Sequence, residues 1–518
     1  MTDVVAKTPT RIAGGLGYAQ AVLLIIIVSA GLRLAIVSQI GLEYDGNYSV
    51  VQARTLAYGY FDHPPMHYWL IWITAKLTGG ESPFMMHFPF VLLSGGCTWL
   101  IYRITALVFD RRAGFWAAVA FSLAGVFTLA WSFFVLPDGP LFFFLLLTVR
   151  LLIPVLFGKP DAQAATLGWL GAGAAAGAAL LSKYSAVFLF AGLFLFLATT
   201  PSQRKWLGRA APWLGAVLAG LMFLPVVWWN FRHHWASFSF QGQRAFLSHA
   251  TPLVRLIDLF ENIGRQAFFL VPWLYVPMLY VLGKALVRGP RDERRWFFAC
   301  LAVCPVLVFT LVNVLQRGLP YWTLSGWLFV FPLFGKEVIE LNQAWYGHVR
   351  RTAIATAAAL IVIAFALTIE AHTGAYATWM ARRSPSLQDP FRDPMIEFYT
   401  WGDLPEILRE RGLLDRRVEF IAGIDWRDTA RLDYTLGHDY PVLCVGPDGR
   451  NYSLRDTSAF LGRNGLLIDV PREFDVRNGE LDTLFSRRER LENIVLTRSG
   501  LSAVELRVER VSGLRVPQ

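Results

Sequence analysis

Asp45 in LEYDGNY, Asp62 and His63 in GYFDHPPMHYW, Asp138 in VLPDGPLFFF and Lys183 in LLSKYSAVF each stand at the edge of a long apolar run. An ionised group beside a hydrocarbon boundary has to be solvated, paired or engaged with a ligand, so each is a functional candidate from its surroundings alone. Carboxylates placed this way can take a proton from a hydroxyl, and a lysine or histidine can hold an anion. Plainer roles exist for all of them. Asp45 would cap a helix starting in NYSVVQARTLAY, and Asp138 would cap a helix opened by Pro140. His63 would be a turn histidine bonded to backbone, and Lys183 would snorkel toward headgroups. Pro64 and Pro65 stiffen the segment that displays Asp62 and His63.

The elements that must position these residues are membrane spans. Of 518 residues, 55% are hydrophobic and 17% charged, with a mean hydropathy of +0.42; an average soluble chain is about 25% charged. Apolar runs long enough to cross a bilayer lie at 15–38, 83–107, 113–131, 139–157, 164–182, 184–200, 212–230, 265–286, 296–315, 319–338 and 352–370, about eleven spans in all. Arg111, Arg112, Lys159, Arg204, Lys205, Arg209, Lys284, Arg288, Arg291, Arg294, Arg295, Lys336, Arg350 and Arg351 fall in alternate loops together with Lys7 and Arg11 ahead of the first run. These loops are therefore inside. The first run is then a retained signal anchor.

This orientation leaves two long outer loops, 39–82 and 231–264, and an outer tail from residue 371. NYSVVQARTLAY and MHYWLIWITAKL in the first loop are amphipathic and rich in aromatic residues, which predicts helices lying in the interface. In the second, WWNFRHHWASFSFQGQRAF with Arg244, followed by Arg265, adds cations and aromatics. An aromatic and cationic wall facing two carboxylates suits a lipid phosphate carrying a sugar.

The tail holds 23 of the 38 acidic residues. DLPEILRERGLL, RVEFIAG, DWRDTARLDYTLG, PVLCVG, GLLIDV, NIVLTRSG and AVELRVERV alternate helix-like and strand-like patterns, a small α/β domain with a β-α-β start. GPDGRN reads as a turn and not as a phosphate-cradling loop. The four cysteines have neither metal spacing nor a disulfide framework. The net charge of +10 comes with no basic face interleaved with aromatics, so nucleic acid is not a partner.

EYDGNY, GYFDHPPMHYWL, VLPDGPLFFF, LLSKYSAVF, HWASFSFQ and LPYWTLSGW occur in this order over residues 30–335. In this the chain resembles the bacterial membrane glycosyltransferases of the protein mannosyltransferase and aminoarabinose transferase superfamily, the GT-C fold. TWGDL, RLDYTLGHDYPVLCVG and GRNYSL in the tail are similar to the outer domain that many members carry. The resemblance implies an all-α polytopic bundle over 1–370 and an extracytoplasmic (periplasmic) α/β domain over 371–518, in the bacterial cytoplasmic membrane. It also implies transfer of a hexosyl or pentosyl group from a polyprenyl-phosphate donor to a lipid, glycan or protein acceptor. Asp45 takes the place of the family's catalytic aspartate and Asp138 that of its second acidic residue. Tyr60, Asp62, His63, Lys183, Arg244 and Arg265 are expected to bind substrate, with His63 on the donor phosphate. The family often has Asp-Glu where this chain has Asp45-Gly46.

A sugar phosphate already carries its leaving group, so no cofactor is required. Some relatives hold a divalent cation near the acidic-basic pair, and Asp62 with His249 or His234 would be its ligands here. The expected mechanism is one displacement with inversion: Asp45 is the general base, cations steady the phosphate and Asp138 orients acceptor or sugar. The alternative is a transporter, flippase or non-catalytic binder of lipid-linked sugars. Transport would place polar residues within the spans and broken helices at matched positions in two halves.

Overall fold

A computed structural model describes residues 16–127, 134–246, 252–316, 319–383, 395–399, 401–471, 478–498 and 501–515. Among them seven helices are long and apolar enough to cross a membrane: Tyr18–Val37, Pro83–Val108, Asp138–Phe157, Ala162–Ser182, Ala210–Arg232, Glu293–Leu315 and Gln343–Thr373. Tyr18–Val37 and Gln343–Thr373 bury only 17% and 11% of their apolar windows. Such bare apolar surface is stable only against lipid, where a helix satisfies its own backbone. The chain is a multi-pass membrane protein.

Four expected spans take other forms. The run 265–286 is not straight: Pro252–Leu270 and Pro272–Arg288 meet at 109°. Pro272 has no N–H to continue the first helix, and Val271 turns the chain with φ 61°. The run 319–338 is divided into Pro320–Thr323, Leu324–Trp327 and Phe331–Glu340. The runs 113–131 and 184–200 give the shorter helices Arg111–Leu123 and Val187–Thr199. Within the first span Arg33 is buried and donates to Ser94 Oγ at 2.7 Å. Small residues draw helices together, and a side chain at Gly173 would run into the backbone of Gly215.

The tail is a five-stranded mixed sheet in the order β2-β1-β3-β5-β4, with β1 Phe420–Gly423, β2 Val442–Cys444, β3 Asn464–Asp469, β4 Phe485–Arg498 and β5 Leu501–Leu514. Ile421 pairs in parallel with Val442 on one side and Leu466 on the other. β5 joins antiparallel to β3 and to β4. Asp425 caps the helix Trp426–Leu436 through the N–H groups of Arg427 and Asp428.

Two helices form the loop 39–82, expected to be outside. Met66–Thr78 leaves Ile73 and Leu77 exposed. Tyr44–Ala53, expected at the membrane interface, is instead buried along nearly its whole length, because Trp426–Leu436 of the tail covers it. Tyr48 and Trp426 meet edge to face at 5.4 Å, and Tyr48, Val51, Trp426, Ala430 and Tyr452 form one apolar cluster. This seam between tail and membrane part is what frames the site.

Candidate active site

Glu43, not Asp45, is the N-cap residue of Tyr44–Ala53, and Asp45 lies in its first turn. Pro137 is likewise the N-cap residue of Asp138–Phe157, with Asp138 in the first turn. Neither aspartate is therefore occupied as a cap. Both gain from the positive end of their helix, and both line one cavity of about 370 Å³. Asp62, His63, Lys183, Tyr184, Gln241, Tyr321, Trp322, Trp426 and Arg450 complete its polar and aromatic wall.

Asp138 is buried, and Lys183 Nζ donates to both of its carboxylate oxygens at 2.8 Å. Lys183 follows the last residue of Ala162–Ser182 in an extended conformation, φ −156°, and its ammonium also faces the Tyr321 ring at 5.6 Å. The residue expected to hold phosphate is thus first of all the partner of the second carboxylate. Asp45 differs in being half-exposed, with Arg450 Nη1 3.8 Å from its Oδ1.

Asp62 is 3% exposed. Tyr68 and Tyr48 donate their hydroxyls to its Oδ1 at 3.0 and 3.3 Å, and Arg450 Nη1 reaches Oδ2 at 3.3 Å. Burial and the neighbouring carboxylate push both phenols well above the ordinary tyrosine range, so they remain donors. His63 also lines the cavity, 5.7 Å from the His67 ring. Burial, seconded by His63, holds His67 neutral. The loop 231–264 arrives through Ala236–Phe246, from which Gln241 Nε2 donates to the Asp62 carbonyl at 2.6 Å.

Two expected substrate contacts, Tyr60 and Arg265, do not line the cavity. Tyr60 is buried beneath it, stacked on Tyr68 at 3.8 Å with its hydroxyl given to the Thr55 carbonyl. Its aromatic motif is packing for the loop. Arg265 is half-exposed, pairs with Glu261 one turn earlier on its own helix and does not line the cavity. The side chain of Arg244 and all of His249 lie outside the described residues. Asp62 already takes two phenols on Oδ1 and a guanidinium on Oδ2. His234 does not line the cavity, and no group of three or more His, Cys, Asp or Glu among the described residues is arranged to hold a metal.

Arg450 was not foreseen. It opens the turn Arg450–Leu454 at the end of GPDGRN, and its guanidinium lies 3.5 Å from the Trp426 ring centroid. The signal was the GRNYSL segment of the tail.

A structure of ArnT from Cupriavidus metallidurans bound to undecaprenyl phosphate covers 96% of this chain and 100% of its own, with a TM-score of 0.63 at 17% identity. The chain has the GT-C fold. The apo structure of the same ArnT matches this chain over 95% of its length, at 15% identity and a TM-score of 0.63. The family model described as dolichyl-phosphate-mannose-protein mannosyltransferase matches residues 62–229. That segment holds Asp62, His63, Asp138 and Lys183 but neither Asp45 nor Arg450. A lipid A galacturonosyltransferase, RgtD from Rhizobium johnstonii, is 24% identical over 292 residues, 53% of this chain and 56% of the relative. The match thus spans little more than half of that curated protein.

Proposed function

We propose that the chain transfers a sugar from a polyprenyl-phosphate donor to a lipid, glycan or protein acceptor at the outer face of the bacterial cytoplasmic membrane, with the tail domain on that same side. The observation that carries this is the convergence of Asp45 and Asp138 on one cavity that also holds His63, Lys183 and Arg450. Asp45, half-exposed at the mouth, takes the proton from the acceptor hydroxyl as that oxygen attacks the anomeric carbon. The sugar–phosphate bond breaks as the new glycosidic bond forms, and the phosphate leaves on its lipid. One displacement inverts the anomeric centre.

Asp138, held by Lys183, orients the sugar or the acceptor from the buried side. The charge that accumulates on the departing phosphate is met by cations already in place, which is where such a site gains most. No further cofactor enters this scheme. Support comes also from the lipid-linked ligand named for the ArnT structure and from the lipid A acceptor in the name of RgtD.

Mass spectrometry of envelope lipids, glycans and proteins from cells with the chain and cells without it tests the proposal. A missing hexose, pentose or uronic acid increment identifies sugar and acceptor together. Identical profiles, with the purified chain also inactive on undecaprenyl-phosphate sugars, would refute it. A product that retains the donor's anomeric configuration would refute the single displacement.

A further inference from the structure

A departing phosphate needs a cation with donors to spare, and Lys183 has already given two N–H bonds to Asp138. Arg450 has more to offer. Nη1 is directed at Asp62 and Asp45, while Nε is buried and has no hydrogen-bond partner among the described residues. A guanidinium carries five N–H donors in a fixed fork, so one edge faces the carboxylates and another keeps an unspent donor. The residue lines the cavity itself.

Its placement is closely determined. The neighbouring Asn451 is fixed by three bonds to the first outer loop: its N–H donates to Tyr48 Oη at 3.1 Å, its Nδ2 to Gln52 Oε1 at 2.8 Å, and its Oδ1 accepts from the Phe61 N–H at 3.1 Å. Trp426 stacks on the guanidinium. Arg450 itself has φ 45°, a left-handed conformation that a non-glycine residue adopts at a cost. Such strain persists where surrounding contacts over-determine a position, and here it delivers a cation into a cavity.

We propose that Arg450 of the outer domain binds the phosphate of the lipid-linked donor, so that the tail supplies a residue of the active site. The guanidinium holds Asp62 and Asp45 before the donor arrives and turns its unspent N–H groups to the phosphate oxygens once it has. This rests on the polyprenyl-phosphate reading above.

The test compares binding of undecaprenyl phosphate and of undecaprenol, which lacks the phosphate, to the purified full-length chain. Wild type should prefer the phosphate. Arg450→Ala and Arg450→Gly should lose roughly 10- to 100-fold of phosphate affinity, as expected for a charge-assisted contact, with undecaprenol affinity unchanged. Arg450→Lys should recover part of the preference. Glycine relieves the backbone strain, so that variant separates loss of contact from loss of fold. If Arg450→Gly folds and keeps the full preference, the assignment of Arg450 is overturned while the donor reading stands. If wild type itself shows no preference for the phosphate, both are overturned.

Discussion

Lys183 Nζ sits 2.8 Å from each carboxylate oxygen of Asp138, and both side chains are largely removed from solvent. The pair ties the end of the helix Ala162–Ser182 to the start of Asp138–Phe157, two consecutive helices that also pack against each other. Breaking such a pair leaves an uncompensated buried charge, whereas replacing both partners does not. Lys183→Ala should therefore cost about 3–5 kcal/mol of stability, and the double variant Asp138→Asn with Lys183→Met markedly less. Thermal unfolding in detergent measures the difference. Activity should stay low in both, and a double variant no more stable than Lys183→Ala would refute the pairing.

Asp45→Asn should remove activity without removing fold. The residue is half-exposed and is not the helix cap, so the exchange keeps its shape and takes only its basicity. Turnover should fall by roughly 10²–10⁴, with an unchanged melting temperature. Turnover near that of wild type would mean that another group takes the proton.

Glu43 links the two aspartates through structure rather than chemistry. Its Oε1 accepts from the buried Val135 N–H at 2.7 Å, tying the base of the Asp45 helix to the short segment that leads into Asp138. Glu43→Ala would leave that N–H unsatisfied, at about 1–3 kcal/mol. Gly46 has the same dependence from the other side: an added Cβ would stand 2.8 Å from the Glu43 carboxylate. Gly46→Ala should thus lower the melting temperature, although it lies in a helix where alanine is normally preferred. A stabilised Gly46→Ala variant would show that Glu43 can move aside.

Glu397 gives the tail domain a dependence on pH. Burial, with Glu43 and Asp45 close by, raises its carboxyl from 4.5 to about 8 against the opposing effect of Arg431. Between those values the folded chain binds one more proton than the unfolded chain, so stability falls as pH rises. The contribution is complete below about 4.5, is lost progressively up to about 8 and changes no further above it. Glu397→Gln should flatten that part of the profile. Chemical denaturation across pH 5 to 8 reads it directly, and identical slopes in both proteins would contradict the buried carboxyl.

Much of this was legible in the sequence because the forces that set it are local. Seven of the long apolar runs are single helices long enough to span, and every helix and strand pattern named in the tail overlaps a helix or strand of the structure, since the alternation of apolar residues decides which face is buried. Asp45, Asp62, His63, Asp138 and Lys183 were found because charge at a hydrocarbon edge is uncommon enough to notice. What escaped depended on tertiary contacts. GPDGRN is a turn by every local criterion, and only the bonds of Asn451 to Tyr48, Gln52 and Phe61 carry Arg450 into the cavity. Tyr60 shares its motif with true cavity residues yet points beneath them. The bend at Val271 lies within an uninterrupted apolar stretch, where composition gives no sign that Pro272 starts a new direction.

Arg54 spans the seam between the two parts of the chain, bonded to Glu81 on the membrane side and to Asp433 in the tail, with Arg455 joining Asp433 to Gln52 nearby. Interlocking of this kind makes the halves poor modules. Grafting the tail of a distant homologue onto this bundle would mismatch the charges on both sides of the joint and misplace position 450 at the same time. Chimeras should work only when the first outer loop is transplanted together with the tail, so these two segments, though far apart along the chain, are expected to be inherited as one unit.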